Sequence, residues 1–157
     1  MPTNLFKANA ISELPEFQST HQFNAQAIRN VRTLTELAGL ERIGLHVVRL
    51  TKGHKSTEHH RHDNDEEFLI VLAGRGMAHI GDETHEIEAG DIMAFSCDSP
   101  AHSLSNPYDE DLVYVMGGER NANDVVHYPR IKRSMVKSAD RRFWSDWDNQ
   151  HDLPKKF

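Results

Sequence analysis

The sequence predicts an all-β domain, either a closed barrel or a sandwich, and three observations support this prediction. The middle of the chain consists of short apolar runs in which β-branched residues are frequent. Turn signals built on glycine, proline, asparagine and aspartate separate these runs about every 8 to 12 residues, the spacing typical of sandwiches and barrels. Helical and strand patterns do not alternate along the chain, so a parallel α/β sheet is not expected.

The predicted strands follow one another through the middle of the chain, and each ends at a turn. They cover residues 42–50, 60–62, 68–73, 77–80, 84–87, 92–95, 101–104 and 112–116. The first strand ends before Gly53, and the third ends at Gly74. Gly81 and Asp82 predict a hairpin turn between two short strands, because both residue types tolerate tight turn conformations. Such a run of short strands requires pairing between neighbours in one domain.

We expect a barrel core at residues 41–118, an N-terminal arm at residues 1–40 and a C-terminal extension at residues 119–157. Apolar residues spaced by three in the second half of the arm allow a short helix, whereas its β-branched residues allow an extended segment. The large aromatic residues of the charged extension are Phe143, Trp144 and Trp147. Such side chains usually bury, so the extension should pack on the barrel or on the partner subunit of a homodimer.

Length, charge and cysteine content are those of a single domain without a nucleic-acid-binding surface. The 157 residues suffice for one core, and 24 acidic residues against 18 basic ones give a net charge of −6. This balance argues against nucleic acid or an anionic membrane as a partner, because both bind cationic surfaces. Cys97 is the only cysteine, the N-terminus lacks a secretory pattern, and no apolar run is long enough to span a bilayer. We therefore expect a cytoplasmic protein.

Histidines are concentrated in one short segment of the chain. Four of the eleven histidines fall within nine residues, and acidic residues follow directly. His60 and His62 flank one residue of a predicted strand, so their side chains point to the same face, about 7 Å apart at the Cα atoms. Glu67 follows after a short turn, and His102 comes from a separate strand. Imidazole and carboxylate are common metal ligands, so these four side chains are candidate ligands of one ion.

The order of these residues resembles the two sequence motifs of the cupin superfamily. The residues that carry the first motif are Gly53, His60, His62, Glu67 and Gly74, and those of the second are Gly90, Asp91, His102 and Asn106. The resemblance covers residues 53–106 and implies a double-stranded β-helix, the cupin jelly-roll barrel, with N- and C-terminal arms. It also implies that the two histidines of the first motif, its glutamate and the histidine of the second motif bind a metal ion. A solvated histidine-rich loop is the alternative, which the second motif disfavours.

Further side chains are candidates for the wall of a ligand cavity. His46 lies on an alternating strand and can face the interior, although an ordinary hydrogen-bonded histidine is the competing interpretation. Met93 and Tyr114 can line the barrel, although core packing is the default for both. His59 is expected on the surface, because it alternates with His60. No residue is identified as the general acid or base, although Glu67 is a candidate if it leaves the metal.

The predicted chemistry follows from the mixed nitrogen and oxygen donors. Such a set suits one divalent transition metal, Fe, Mn, Ni, Co, Zn or Cu, and four protein ligands leave about two positions free on a six-coordinate ion. The resemblance to cupins implies a range of reactions that includes dioxygenases, isomerases, decarboxylases and lyases. Our leading hypothesis is a metal-dependent enzyme of oxygenase, isomerase or lyase type that acts on a small polar oxygen-bearing molecule, with a slight preference for an oxygenase. The alternatives are a non-catalytic module that binds a metabolite or a metal, and a purely structural barrel.

Overall fold

The computed structural model describes residues 3–151, and its regular secondary structure is almost entirely strands. The strands are β1 (Phe17–His21), β2 (Asn24–Thr33), β3 (Ile43–Leu50), β4 (Arg61–His62), β5 (Glu67–Ala73), β6 (Arg75–Ile80), β7 (Glu83–Glu88), β8 (Ile92–Phe95), β9 (His102–Ser105), β10 (Leu112–Glu119), β11 (Asn123–Tyr128), β12 (Arg133–Ser138) and β13 (Arg141–Asp146). One helix, α1 (Ala8–Glu13), and two 3-10 turns, Pro129–Ile131 and Trp147–Asn149, complete the described part. No helix in this part is long and apolar enough to cross a membrane.

Three antiparallel sheets form the barrel. The largest has six strands in the order β1-β2-β3-β10-β5-β8, the second has four in the order β13-β12-β11-β4, and the third has three in the order β7-β6-β9. The predicted all-β fold, a double-stranded β-helix, is confirmed. Pairing between segments that are distant in the chain, such as the bridge between His60 and His102, explains why the motif residues can meet.

The core fills the space between the six-stranded and the three-stranded sheets. Inward positions alternate with outward ones, as the period of a strand requires. On the central strand β10, Leu112 and Tyr114 are completely buried, while Val113 between them is partly exposed. The core cluster comprises Val48, Leu50, Leu69, Val71, Ala78, Ile87, Met93, Phe95, Leu104, Leu112 and Tyr114. These apolar contacts give the barrel a rigid frame for the polar side chains at one end.

The sheets continue across both predicted boundaries of the barrel core. In the N-terminal segment, β2 pairs with β3 and places Val31 opposite Val48, so the extended alternative is the one observed. On the C-terminal side, β11 pairs with β4 and places Val126 opposite His62. The flanking segments are thus continuous with the sheets, because their inward apolar positions complete the same interior. Residues 1–2 and 152–157 of these segments lie outside the described residues.

Two of the three large aromatic residues of the C-terminal segment make contacts within the chain. The ring of Trp144 lies 5.2 Å from Tyr128 and 4.8 Å from Phe23, measured between centroids. Trp147 donates its indole N–H to Ser134 Oγ at 2.7 Å. Phe143 stays 44% exposed. The last hairpin therefore packs against Tyr128 and the turn between β1 and β2.

Candidate metal centre

Backbone pairing brings the four predicted ligands to one end of the barrel. His60 and His102 form an isolated antiparallel bridge, with N–O distances of 3.1 and 2.7 Å. His62 is held in β4 by pairing with Val126 of β11, and Glu67 begins β5. The segment of His60, His62 and Glu67 and the distant strand of His102 thus present these side chains to a common space.

The four side chains meet at one carboxylate oxygen. Glu67 Oε2 lies 3.5 Å from His60 Nε2, 3.5 Å from His62 Nε2 and 3.2 Å from His102 Nε2. Donor atoms of His60, His62 and Glu67 all lie within 4.8 Å of one another, whereas His102 joins the group through its contact with Glu67. All four side chains are at most 18% exposed. This is a compact cluster of two kinds of metal-binding atom.

Room for Glu67 depends on the glycine opposite it. Gly118 on β10 pairs with Glu67, and a Cβ atom at this glycine would lie 3.0 Å from Glu67 Cγ and 3.0 Å from the carbonyl oxygen of Glu66. Such distances are tighter than most contacts of a Cβ atom, so a larger residue here would require Glu67 or the Glu66 carbonyl to shift. Gly118 therefore lets the glutamate side chain turn into the cavity.

Hydrogen bonds at the outer nitrogens orient two of the imidazoles. His60 Nδ1 donates to the carbonyl oxygen of Glu58 at 3.1 Å, and His62 Nδ1 donates to Asp124 Oδ2 at 2.7 Å. A carbonyl or an ionised carboxylate only accepts, so the proton of each neutral ring is on Nδ1. Each Nε2 then directs a lone pair toward Glu67. Lone pairs that converge on a carboxylate repel it, and a cation among them relieves this repulsion, so the donor set fits a divalent metal.

A buried ionic network supports His62 from behind. Asp124, whose side chain is fully buried, also accepts the Asn64 N–H at 3.0 Å and lies 3.4 Å from Lys137 Nζ. Lys137 Nζ contacts Asp65 as well, so its ammonium group lies between the two carboxylates. Burial alone would raise the pKa of Asp124, but the bonds from His62 and Asn64 and the charge of Lys137 lower it strongly. Asp124 therefore stays ionised and fixes the His62 ring.

Protonation at the cluster follows from burial and from these bonds. Burial lowers the pKa of His60, because the charged ring loses its hydration. Burial also acts to lower the pKa of His62, but the Asp124 bond and nearby carboxylates raise it overall. For Glu67, burial would raise the pKa, yet its contacts with His102 and His60, together with the charge that His60 and His62 carry when protonated, hold it well below its usual range. An ionised Glu67 beside a neutral His60 is the state in which both bind a metal.

His102 is held by stacking rather than by a hydrogen bond at its outer nitrogen. Its ring lies 3.6 Å from the Phe95 ring, with an angle of 2° between the planes. Its Nδ1 atom is buried and has no hydrogen-bond partner among residues 3–151. Phe95 pairs with Glu67 across β8 and β5, so one position of the sheet places both the stacking ring and the carboxylate.

A cavity of about 190 Å³ opens beside the cluster. Its wall includes Arg29, Ser56, His60, His62, Glu67, His102, Tyr114, Met116 and Tyr128. The Tyr114 hydroxyl is buried without a hydrogen-bond partner in the described part of the chain, and burial raises the pKa of Tyr114 to about 12. Tyr114 thus remains a protonated donor at neutral pH.

The other two predicted wall residues lie elsewhere. Met93 pairs with Leu69 one layer below the Glu67 and Phe95 pair, so it packs in the apolar core. His46 pairs with Met116 on the inward face of β3 but is not part of the described cavity wall. Strand alternation predicts the face of a residue correctly, but it does not predict the depth along the barrel axis.

Sequence reasoning also misplaced His59 and missed other residues. His59, expected on the surface, is 4% exposed, and burial lowers its pKa to about 4; its Nδ1 atom lies 3.3 Å from Ser103 Oγ, on the opposite face of the sheet from His60. Asp124 and Lys137 were not singled out, because no spacing links them to the motifs. Arg29 could have been identified from the sequence, because it lies between Ala27 and Val31, two apolar residues on the inward face of a strand.

Comparison with known proteins identifies the class of protein. The family model for the cupin domain matches residues 46–118. A solved structure from Acidithiobacillus ferrooxidans ATCC 23270, whose name assigns it provisionally as a sugar phosphate isomerase, is 31% identical and has a TM-score of 0.92. The alignment covers 96% of this chain and 97% of that chain. The chain therefore belongs to the cupin superfamily.

Two further solved structures share the fold over most of their length. A cupin-superfamily sugar phosphate isomerase from Silicibacter pomeroyi DSS-3 is 23% identical, covering 90% of this chain and 94% of that one, with a TM-score of 0.81. A predicted oxalate decarboxylase from Thermotoga maritima is 19% identical, covering 71% and 96%, with a TM-score of 0.60. At these identities the likeness shows the fold alone. No curated protein matches the chain.

Proposed function

We propose that the protein is a metal-dependent isomerase of small phosphorylated sugars. One divalent transition metal, bound by His60, His62, Glu67 and His102, would be its cofactor. The observation that carries the proposal is the convergence of three imidazole Nε2 atoms to within 3.2–3.5 Å of one carboxylate oxygen, beside a cavity. Borderline nitrogen donors with one carboxylate suit Fe, Mn, Ni, Co, Zn or Cu.

The relative at 31% identity favours isomerisation over the oxygenase reaction that the donor set alone suggests. Its alignment extends over nearly all of both chains, so the flanking segments that close the cavity are part of the likeness. Aldose–ketose isomerisation moves hydrogen between two adjacent carbons while the carbonyl group changes place. It requires a polarised carbonyl oxygen and hydrogen-bond donors for the neighbouring hydroxyl oxygens.

The side chains of the cavity suit this chemistry. A bound metal would supply the Lewis acid that polarises the sugar oxygens. Tyr114, protonated at neutral pH, would donate a hydrogen bond to a sugar oxygen, because its hydroxyl has no partner among residues 3–151. Glu67 would remain ionised as a ligand rather than donate a proton, because its pKa is held well below its usual range.

A non-catalytic module that binds a metabolite is the second candidate. A purely structural metal site is closed by protein ligands, whereas here about 190 Å³ of space adjoins the histidines. This space supports a small-molecule ligand for either candidate. An enzyme and a binding module then differ only in turnover.

The test is an isomerisation assay on pentose and hexose phosphates, in which nuclear magnetic resonance monitors the conversion. We expect the metal-loaded protein to interconvert one aldose–ketose pair, to lose this activity after chelation and to regain it with one of the six metals. His60→Ala should lower the rate at least about a hundredfold, because it removes a ligand. His85→Ala is the matched control, since this histidine is exposed on β7.

Two results would refute the isomerase. The first is undiminished turnover in a folded His60→Ala variant, which would separate the reaction from the metal. The second is the absence of any interconversion by the metal-loaded wild type. Binding of a sugar phosphate without turnover would then favour the module.

A further inference from the structure

Arg29 occupies a position at which a charged residue is costly. It lies on β2 between Ala27 and Val31, and these neighbours on the same face are buried or packed against the core. Strand alternation therefore places Arg29 on the inward face. Moving a guanidinium group away from water costs free energy unless a partner compensates for it. A residue that breaks the local apolar pattern in this way is typical of a functional site.

The guanidinium of Arg29 has no anionic partner in the described part of the chain. Its one hydrogen-bond contact is with Met116 Sδ at 3.8 Å, and thioether sulfur is a weak acceptor. The neighbouring arginines differ: Arg32 pairs with Glu16 at 2.8 Å, and Arg49 pairs with Glu16 at 2.6 Å and with Asp111 at 2.9 Å. Among the arginines of residues 3–151 that are not exposed, Arg29 is the one without a carboxylate within 4.0 Å.

Arg29 lies between two cavities. It lines the cavity beside the histidine cluster and also a second cavity of about 190 Å³, whose wall includes Ser19, Thr20 and Trp144. Ser56, Thr57 and Tyr128 line both cavities as well, so these spaces adjoin. A ligand that coordinates the metal through one end can therefore extend its other end to the guanidinium.

Charge also favours an anion in this space. A divalent ion with three neutral imidazoles and one carboxylate carries a net charge of about +1, and Arg29 adds another positive charge. Glu67 is the acidic residue of the first cavity wall, and the second wall includes none among the described residues. With the metal bound, the combined space would therefore have an excess of positive charge.

We infer that Arg29 binds the phosphate group of the ligand while the opposite end of the ligand faces the metal. The guanidinium has five N–H donors in a planar fork that matches phosphate oxygens, and the low dielectric of the cavity strengthens these bonds. This inference rests on the proposed function for the identity of the ligand, but its test does not depend on turnover. Arg29 would select phosphorylated sugars over neutral ones.

The experiment is calorimetric titration of the metal-loaded protein with inorganic phosphate, with oxalate as the carboxylate probe. We expect phosphate to bind the wild type, Arg29→Gln to weaken this binding at least about tenfold and Arg29→Lys to weaken it less. Arg32→Gln is the matched control, because it removes the same charge from the same strand at an outward position. It should leave the affinity for phosphate unchanged, and all variants should keep their metal content.

Three results would overturn the inference. They are equal phosphate affinity in the wild type and Arg29→Gln, an equal loss in Arg32→Gln, and Arg29-dependent binding of oxalate without binding of phosphate. Isomerase assays on the same samples separate this inference from the proposed function. A protein that binds phosphate through Arg29 but has no turnover contradicts only the isomerase. An active isomerase whose KM for its sugar phosphate is unaffected by Arg29→Gln contradicts only the phosphate site.

Discussion

Asp124 contributes to the histidine cluster through a single contact with His62. This contact fixes the tautomer of the imidazole and increases the electron density on Nε2, the atom that faces Glu67. The position of Asp124 was not predictable from the sequence, because a carboxylate on a strand distant from the motifs has no recognisable spacing. The four candidate ligands were predictable, since alternation on a strand and the cupin motifs both specify them.

Replacing Asp124 by Asn should weaken metal binding without unfolding the barrel. We expect the affinity for Zn or Mn to fall about 10- to 100-fold, because the amide still contacts His62 but carries no charge. Competition with a chromophoric chelator measures this change. Asp109→Asn is the control, since Asp109 pairs with Lys52 on the surface. Equal affinities of the wild type and the Asp124→Asn protein would contradict the supporting role of Asp124.

Among the secondary-structure elements, β2 determines the extended conformation of the N-terminal segment. Its sequence allowed a helix, because apolar residues are spaced by three, or an extended segment, because β-branched residues are frequent. Pairing with β3 resolves the choice, since Val31 and Val48 then meet in the interior. Such tertiary pairing overrides local propensity and cannot be read from one segment alone.

An ion-pair cluster further attaches this segment to the main sheet. Glu16, just before β1, contacts Arg32 of β2 and Arg49 of β3. The Arg49 hydrogen bond lowers the pKa of Glu16, against the opposing effect of burial, and the charges of Arg49 and Arg32 lower it further. A carboxyl group whose pKa is lower in the folded state than in the unfolded state stabilises the protein above the unfolded value.

The Glu16 contribution should therefore disappear in acid. Above about pH 5, Glu16→Gln should lower the free energy of unfolding by about 1 kcal/mol, because the charged pairs are lost. As the pH falls below 4.5 and through the lowered pKa, the wild type loses the same contribution and the two proteins converge. Urea denaturation at a series of pH values measures the difference. Glu13→Gln, an exposed change in α1, is the control, and a difference that grows in acid would contradict the assignment.

For the whole molecule, sequence reasoning predicted the class of fold but not the extent of the barrel. Turn spacing and the two motifs were sufficient for the central strands, since local signals determine both. The strands β1, β2 and β11–β13 join the sheets through long-range pairing, which local signals do not determine. This pairing closes the cavity on the side of Arg29 and Tyr128. The position of the cavity was for this reason harder to predict than that of the four candidate ligands.

The homodimer remains a prediction at this scale. The outer strands of the six-stranded sheet, β1 and β8, carry Phe17 and Ile92, which are 61% and 69% exposed. Exposed sheet edges with large apolar residues favour pairing with another chain. We expect light scattering at micromolar concentration to give twice the chain mass of 17.9 kDa. A mass of one chain would contradict the dimer.

The central claim is that four side chains, from the His60–His62 segment, β5 and β9, bind one metal ion. Elemental analysis of protein purified without added metal tests it most directly, with circular dichroism to verify folding. We predict about one divalent ion per wild-type chain, a loss of most of this metal in His60→Ala and in His102→Ala, and unchanged content in His85→Ala. Full metal occupancy in folded His60→Ala and His102→Ala proteins would contradict the account.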